Sequence, residues 1–365
     1  MGMRMAGARW RRGMAGAVIA AAAAGLGGLA TVTPAAAAAG PQAPSPTVIA
    51  QAKAQAGVDP AASVAVVLCP AQNLQTAING APAGGVLVVA GRCTGNFTIG
   101  KNLTVIGLAA VLDGGGTAST VTIMGSPQVR LAGLTITGGS TTSIGGGIDN
   151  FGPGTVTLTG TTVTGNTAQS GGGIYDPSGG TVTLTRSAVT GNTGGNGGGI
   201  DSTGGTVTLT GSTVTGNTAQ SGGGINSTGG TVSVTGSAVT GNTAQTGGGG
   251  IYSVLATLSL ASSTVTGNTA RTGSGGGIYS FASTVKLAGV AVERNTADTD
   301  GGGIYNNGGG TMSLTGSPVT GNTAQTDGGG IYDIGGATVT LTGSPVTGNT
   351  PDNCSPTGSV PGCTG

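Results

Sequence analysis

Gly171-Gly172-Gly173-Ile174, Thr181-Val182-Thr183-Leu184-Thr185 and Val189-Thr190-Gly191-Asn192-Thr193 are three phrases of one unit, and the chain repeats that unit eight times. The Ile of the first phrase stands at Ile148, Ile174, Ile200, Ile225, Ile251, Ile278, Ile304 and Ile331, in steps of 26, 26, 25, 26, 27, 26 and 27 residues. The Asn of the third phrase keeps the same pace at Asn166, Asn192, Asn217, Asn242, Asn268, Asn295, Asn322 and Asn349. A period this strict is the mark of a solenoid, because no single unit can bury its own apolar face.

Within each unit the apolar residues alternate. Val182 and Leu184 point one way and the three Thr the other, as in a strand. The column of Val189 is Val in all eight units, from Val163 to Val346. Units of this length with two or three short strands match one coil of a parallel β-helix. The Leu-x-x-Leu-x-Leu spacing of leucine-rich repeats is absent. The fold class expected is all-β: a parallel β-helix of roughly 10–11 coils, with like residues stacked about 4.8 Å apart. The triple Gly is read as a tight turn using dihedrals closed to other residues. Asn166, Asn192, Asn217, Asn242, Asn268, Asn295, Asn322 and Asn349 are read as an interior amide ladder rather than surface turn residues, since neither Asp nor Ser takes the position.

Composition narrows the function. Of 365 residues 80 are Gly, yet no collagen period exists. Only 6% of residues are charged, which leaves no basic face for nucleic acid. The first forty residues read as an export signal: Arg4 to Arg12, an Ala-rich apolar run, then Ala35 to Ala39 with cleavage near Ala39. An uncleaved anchor is the alternative. Arg11-Arg12 leaves the general secretory and twin-arginine routes both open. Loss of that segment leaves eight basic residues against eleven acidic ones. Four Cys and no His favour disulfides over a metal site, Cys69 with Cys93 and Cys354 with Cys363, one pair before the repeats and one after.

The expected organisation is a signal segment over 1–39, a Pro/Ala-rich linker over 40–62, a cap and irregular coils over 63–140, the regular repeats over 141–350, and a disulfide-stapled tail over 351–365. Gln72 to Gly80 is read as a short amphipathic helix, with Leu74, Ala77 and Ile78 on one face, closing the open end of the coil.

The Gly-Gly-Gly-Ile and Val-Thr-Gly-Asn-Thr phrases resemble the paired Gly-Gly-Ala-Ile and Phe-x-x-Asn repeats of the polymorphic outer-membrane protein family. Leu74 to Gly80, Ala90 to Asn96 and the tail from Asp352 to Gly365 resemble secreted β-helix repeat proteins of high-GC Gram-positive bacteria. The resemblance spans about residues 65–365 and implies a right-handed, pectate-lyase-like coil in an extracellular or surface setting. Val stands where that motif has Phe, and no β-barrel segment or sortase motif follows the repeats, so an outer-membrane location is not implied.

Candidate chemistry is sparse. The pectate-lyase-like fold also houses polysaccharide lyases and hydrolases, but a fold does not give a function. With no His, nucleophilic catalysis through a His base is excluded. One unit departs from the pattern: between Ile278 and Ile304 it carries Lys286, Glu293, Arg294, Asp298 and Asp300. Asp300 and Asp327 share a phase, so stacking brings them about 5 Å apart. Asp298, Asp300 and Asp327 are a calcium candidate, Asp300 and Asp327 a carboxylate pair of retaining-glycosidase spacing, and solvated turn residues the plainer reading. No other cofactor is expected.

Tyr252, Tyr279, Tyr305 and Tyr332, with Tyr175, follow the repeat Ile and form a stripe that either contacts a glycan or stabilises its own turn. The outward Thr-x-Thr rows suggest an ice-binding grid, though Thr is also an ordinary exposed strand residue. The expectation is a secreted, monomeric, non-catalytic β-helix with an adhesin-like or scaffold role, meeting polysaccharide or a cell-surface protein, with no nucleic acid and no membrane after signal cleavage. A polysaccharide-active enzyme and an ice-binding protein are the alternatives.

Overall fold

The structure is a computed structural model, and it describes residues 43–364. The proposed signal segment lies outside the described residues. Parallel strands wind into a solenoid with three faces: a 20-stranded sheet, an 11-stranded sheet and a 5-stranded sheet. The 11-stranded sheet takes one strand from each coil, which sets the number of coils.

Each regular coil begins on the second sheet, for example at Ile174–Asp176. It continues on the large sheet as two legs, Thr181–Thr185 and Ala188–Thr190. In later coils a short third strand follows, as at Thr218–Ser221. Register is in phase from coil to coil: Ile174 pairs with Ile200, Val182 with Val207 and Val189 with Val214. The Ile column is fully buried through all eight repeats, so the apolar residues of each coil cover those of the next.

The bend between the two legs needs a left-handed backbone. Gly160 and Gly211 supply it with φ of 55° and 56°, at a position where Arg186 and Ser262 adopt 47°. The triple Gly serves two purposes. Gly171 has φ +60°, whereas Gly173 is Gly because a Cβ there would lie 2.5 Å from the Gly199 carbonyl oxygen. Close approach of neighbouring coils, as well as dihedral freedom, therefore dictates the phrase.

Both ends are closed. Helix α1 (Pro46–Gln55) and helix α2 (Leu74–Gly80) precede the regular coils. Asn73 caps α2, and Leu74 and Ile78 bury themselves against the first coils. Cys69 is bridged to Cys93, and Cys354 to Cys363. Cys354 also continues the Ile column, pairing with Ile331, and Val360 of the tail joins the buried core.

One segment differs from the sequence reading. Residues 40–62 were expected to be a linker, but α1 occupies much of that stretch. Ser45 caps it and Pro46 starts it, which suits a helix N-terminus. Its buried Ala52 and Ala56 pack on Val86, Val88, Ile106 and Ala132. These residues lie on the outer face of the large sheet, where the early strands are apolar on both sides and require a cover. The buried Lys53 fixes the segment by donating to the carbonyls of Pro60 at 2.5 Å and Ala62 at 2.6 Å.

Candidate functional site

The repeat Asn side chains form a continuous buried ladder. Asn192 donates its side-chain amide to Asn217 Oδ1 at 3.0 Å and to the Val163 carbonyl at 3.0 Å, and its backbone N–H to the same Asn217 oxygen at 2.9 Å. Every rung to Asn349 repeats this pattern. Gly139 N–H enters the ladder at Asn166, and Asn353 closes it. A second ladder, not read from the sequence, uses hydroxyls: Ser187 N–H donates to Ser212 Oγ and Ser212 N–H to Ser237 Oγ. The ladders are architectural, because their groups are sealed from solvent and already paired.

The exposed chemistry concentrates on the outer face of the second sheet. Alternation along each strand turns the residue after the repeat Ile outward, and register stacks Tyr252, Tyr279, Tyr305 and Tyr332 on consecutive coils. The ring centroids are 4.6, 4.9 and 5.4 Å apart and the planes lie within 13° of parallel. Tyr175 stands apart, between Asp149 and Asp201 in the same column. Phe281, on the strand of Tyr279, and Phe151, just after the strand of Asp149, are 38% and 55% exposed. Seven of the eight Phe and Tyr residues thus decorate this one sheet, while Phe97 sits in the core. The stacking limits what the stripe can hold. Ring faces inside the ladder cover one another, so it offers edges and hydroxyls outward, and a sugar ring lying flat would find a free aromatic face only at the ends.

The carboxylates fall into two sets. Asp298, Asp300 and Asp327 are half-buried on the turns leading to Tyr305 and Tyr332. Asp298 accepts from Gln325 Nε2 at 2.7 Å. Asp300 is raised above the ordinary carboxylate range by burial and then by the charge of Asp327. Among the described residues no three His, Cys, Asp or Glu side chains gather as a metal-binding group, so Asp298, Asp300 and Asp327 are not brought together as one cluster. Asp298 engages Gln325 of the next coil, and Asp300 and Asp327 interact as a pair.

The second set was not singled out from the sequence. Asp149, Asp176, Asp201 and Asp333 are buried on or beneath the second sheet. Asp176 accepts from Asn150 Nδ2 at 2.9 Å, Asp201 from Asn226 Nδ2 at 2.6 Å and Asp333 from Asn306 Nδ2 at 2.8 Å. Asp149 is buried with Oδ1 unpartnered, and burial pushes its carboxyl up to about 6. Burial raises the other three as well. Their Asn partners on the next or preceding coil were the available signal, but pairing across coils needs the register to be known.

The outward Thr columns of the large sheet are regular without being uniform. The first column is Thr on all eight coils, from Thr155 to Thr338. The next outward column is interrupted by Ser233, Ser259, Lys286 and Ser313.

These features define a parallel β-helix with two internal ladders and an aromatic face. The family model described as "Right handed beta helix region" matches residues 146–350, more than half of the chain, and the chain belongs to that family. Searches of the curated proteins and of the solved structures return no match.

Proposed function

We propose that this chain is an exported, non-catalytic β-helix that serves as a surface-interaction or scaffold protein in the cell envelope or matrix. The observation that carries the reading is the distribution of side chains on the outside of the rod. Outward aromatic residues gather on the second sheet, and the large sheet presents Thr and Ser rows over many coils, with charge entering only locally at Lys286 and Glu293 of the regular repeats. A rigid surface with a repeated ridge offers a partner many equivalent contacts, so weak contacts add through multivalency.

Export is supported by the two disulfides, which belong to an oxidising compartment. It is also supported by the tripartite pattern of residues 1–39. No helix of the described residues is long and apolar enough to cross a membrane. Polysaccharide or a cell-surface protein is the partner class proposed.

Two assays test the reading. A glycan array and a pull-down with the exported form should find a ligand that is bound and left unaltered. A screen on acidic polysaccharides with calcium should show no turnover. Turnover abolished by Asp300→Ala and Asp327→Ala would overturn the proposal in favour of a polysaccharide-active enzyme. The unbroken Thr155 column keeps ice binding as a second reading, and freezing-point hysteresis of the purified protein decides it.

A further inference from the structure

The tyrosine ladder places four phenols side by side on a rigid frame. Tyr252 pairs in register with Tyr279, Tyr279 with Tyr305 and Tyr305 with Tyr332, so each ring is held by its own strand at one coil spacing from the next. The side chains are half-buried, with part of each open to solvent. Other oxidisable groups are few. All four Cys are bridged, Trp10 lies outside the described residues, and Tyr175 has Asp149 and Asp201 as column neighbours instead of another ring.

We propose that this ladder is a site of oxidative cross-linking, in which a one-electron oxidant generated from peroxide converts two adjacent phenols to radicals that couple as dityrosine and staple consecutive coils. Each phenol gives up one electron and its hydroxyl proton. The two radicals then form a carbon–carbon bond between ring positions ortho to oxygen. Each ortho hydrogen leaves as a proton, and each ring recovers its aromaticity and its hydroxyl. The pair loses two hydrogen atoms in total, and one peroxide takes up two electrons and two protons to become two waters.

The frame favours this outcome in two ways. Register keeps two oxidised rings in contact without diffusion, which raises their effective concentration. The rings are also only half-buried, so an oxidant in solution reaches them. The inference does not depend on the partner proposed above, because the reaction needs only this chain and an oxidant.

The test treats the purified, folded protein with a peroxidase and hydrogen peroxide. The expected product is a monomer lighter by two hydrogens, with dityrosine fluorescence and a yield independent of protein concentration. Peptide mapping should join neighbours among Tyr252, Tyr279, Tyr305 and Tyr332 and leave Tyr175 free. Oxidation of the exposed Met124 adds oxygen, so mass separates it from the cross-link. The double variant Tyr279→Phe with Tyr332→Phe keeps the aromatic stack and leaves Tyr252 and Tyr305 two coils apart. Its monomeric cross-link should fall by about tenfold or more, through loss of the proximity effect, with an unchanged circular dichroism spectrum. The proposal is overturned by absence of dityrosine, by equal participation of Tyr175, by cross-links formed only between molecules, or by an undiminished yield in the double variant.

Discussion

Asn322 donates twice to a single oxygen of Asn349, from its side-chain amide at 3.0 Å and from its backbone N–H at 2.9 Å. The same two-to-one contact recurs on the rungs before it, so replacing one Asn damages two coils. Asn242→Ala removes the acceptor of two Asn217 donors and leaves the Val214 carbonyl without its side-chain donor. Buried donors left unmade cost about 1–3 kcal/mol each. The expected destabilisation is about 3 kcal/mol in denaturant unfolding, with faster amide exchange in the two coils flanking Asn242. An effect below about 0.5 kcal/mol, the usual range for surface substitutions, would remove the ladder as a source of stability.

Arg294 adopts φ 51° at a repeat position that is elsewhere Gly. A left-handed backbone costs a non-glycine residue about 1–2 kcal/mol. Its exposed ion pair with Glu293, at 3.4 Å, offsets little of that. Arg294→Gly should therefore stabilise the protein by about 1 kcal/mol, reduced by the greater freedom of Gly in the unfolded chain. The reciprocal change Gly267→Ala, at φ +64° with open space around its Cβ, should destabilise by a similar amount. Thermal unfolding of both variants checks the pair, and movement in the same direction would contradict the argument.

Buried carboxyls set an unusual dependence on pH. Asp149 is pushed up to about 6 by desolvation, and Asp176, Asp201 and Asp333 are raised in the same sense. Between the ordinary carboxylate value and about 6, folded Asp149 keeps a proton that the unfolded chain has released. Its contribution is thus fully present at low pH and is lost as pH rises through that window. The protein should melt at a higher temperature near pH 4.5 than near pH 7.5, and Asp149→Asn should flatten part of the difference. A melting temperature that climbs steadily from pH 4.5 to 7.5 would refute this assignment.

Helix α1 depends on Lys53 as a latch. Lys53→Ala removes two charge-assisted bonds to the Pro60 and Ala62 carbonyls, each worth about 1.5–3 kcal/mol in general. The expected result is rapid proteolysis within residues 43–62 while the repeats 141–350 stay resistant. Equal resistance of both regions would show that packing of Ala52 and Ala56 holds the helix unaided.

Much of the architecture was legible because it repeats. Ile174, Val182, Leu184 and Val189 recur at fixed phase, and a fixed phase in a solenoid is a contact with the same residue one coil away. Apart from the Ser187–Ser212–Ser237 hydroxyl ladder, whose Ser reads as an ordinary turn residue, the features that escaped do not repeat. Helix α1 occurs once, and its reason lies in the outer faces of Val86, Val88 and Ile106, whose exposure depends on how the early strands are covered. The Asp176–Asn150 and Asp333–Asn306 pairs join unlike residues on adjacent coils, so no periodicity signals them. The aromatic face was half visible: the phase of the Tyr was plain, whereas Phe151 and Phe281 join them only when the strand ends are placed in space.

The amide ladder also has a direction. Asn166 gives its forward-pointing hydrogens to the coil that follows it in the chain, and so does each rung down to Asn349. A coil that has just formed therefore presents donors with no acceptor until the next stretch of chain arrives. Folding from the N-terminal side resembles the growth of a filament, with each finished layer acting as a seed for the one after it. The tail closes the ladder: Asn353 accepts the pair of hydrogens from Asn349 and passes its own to the Thr364 carbonyl.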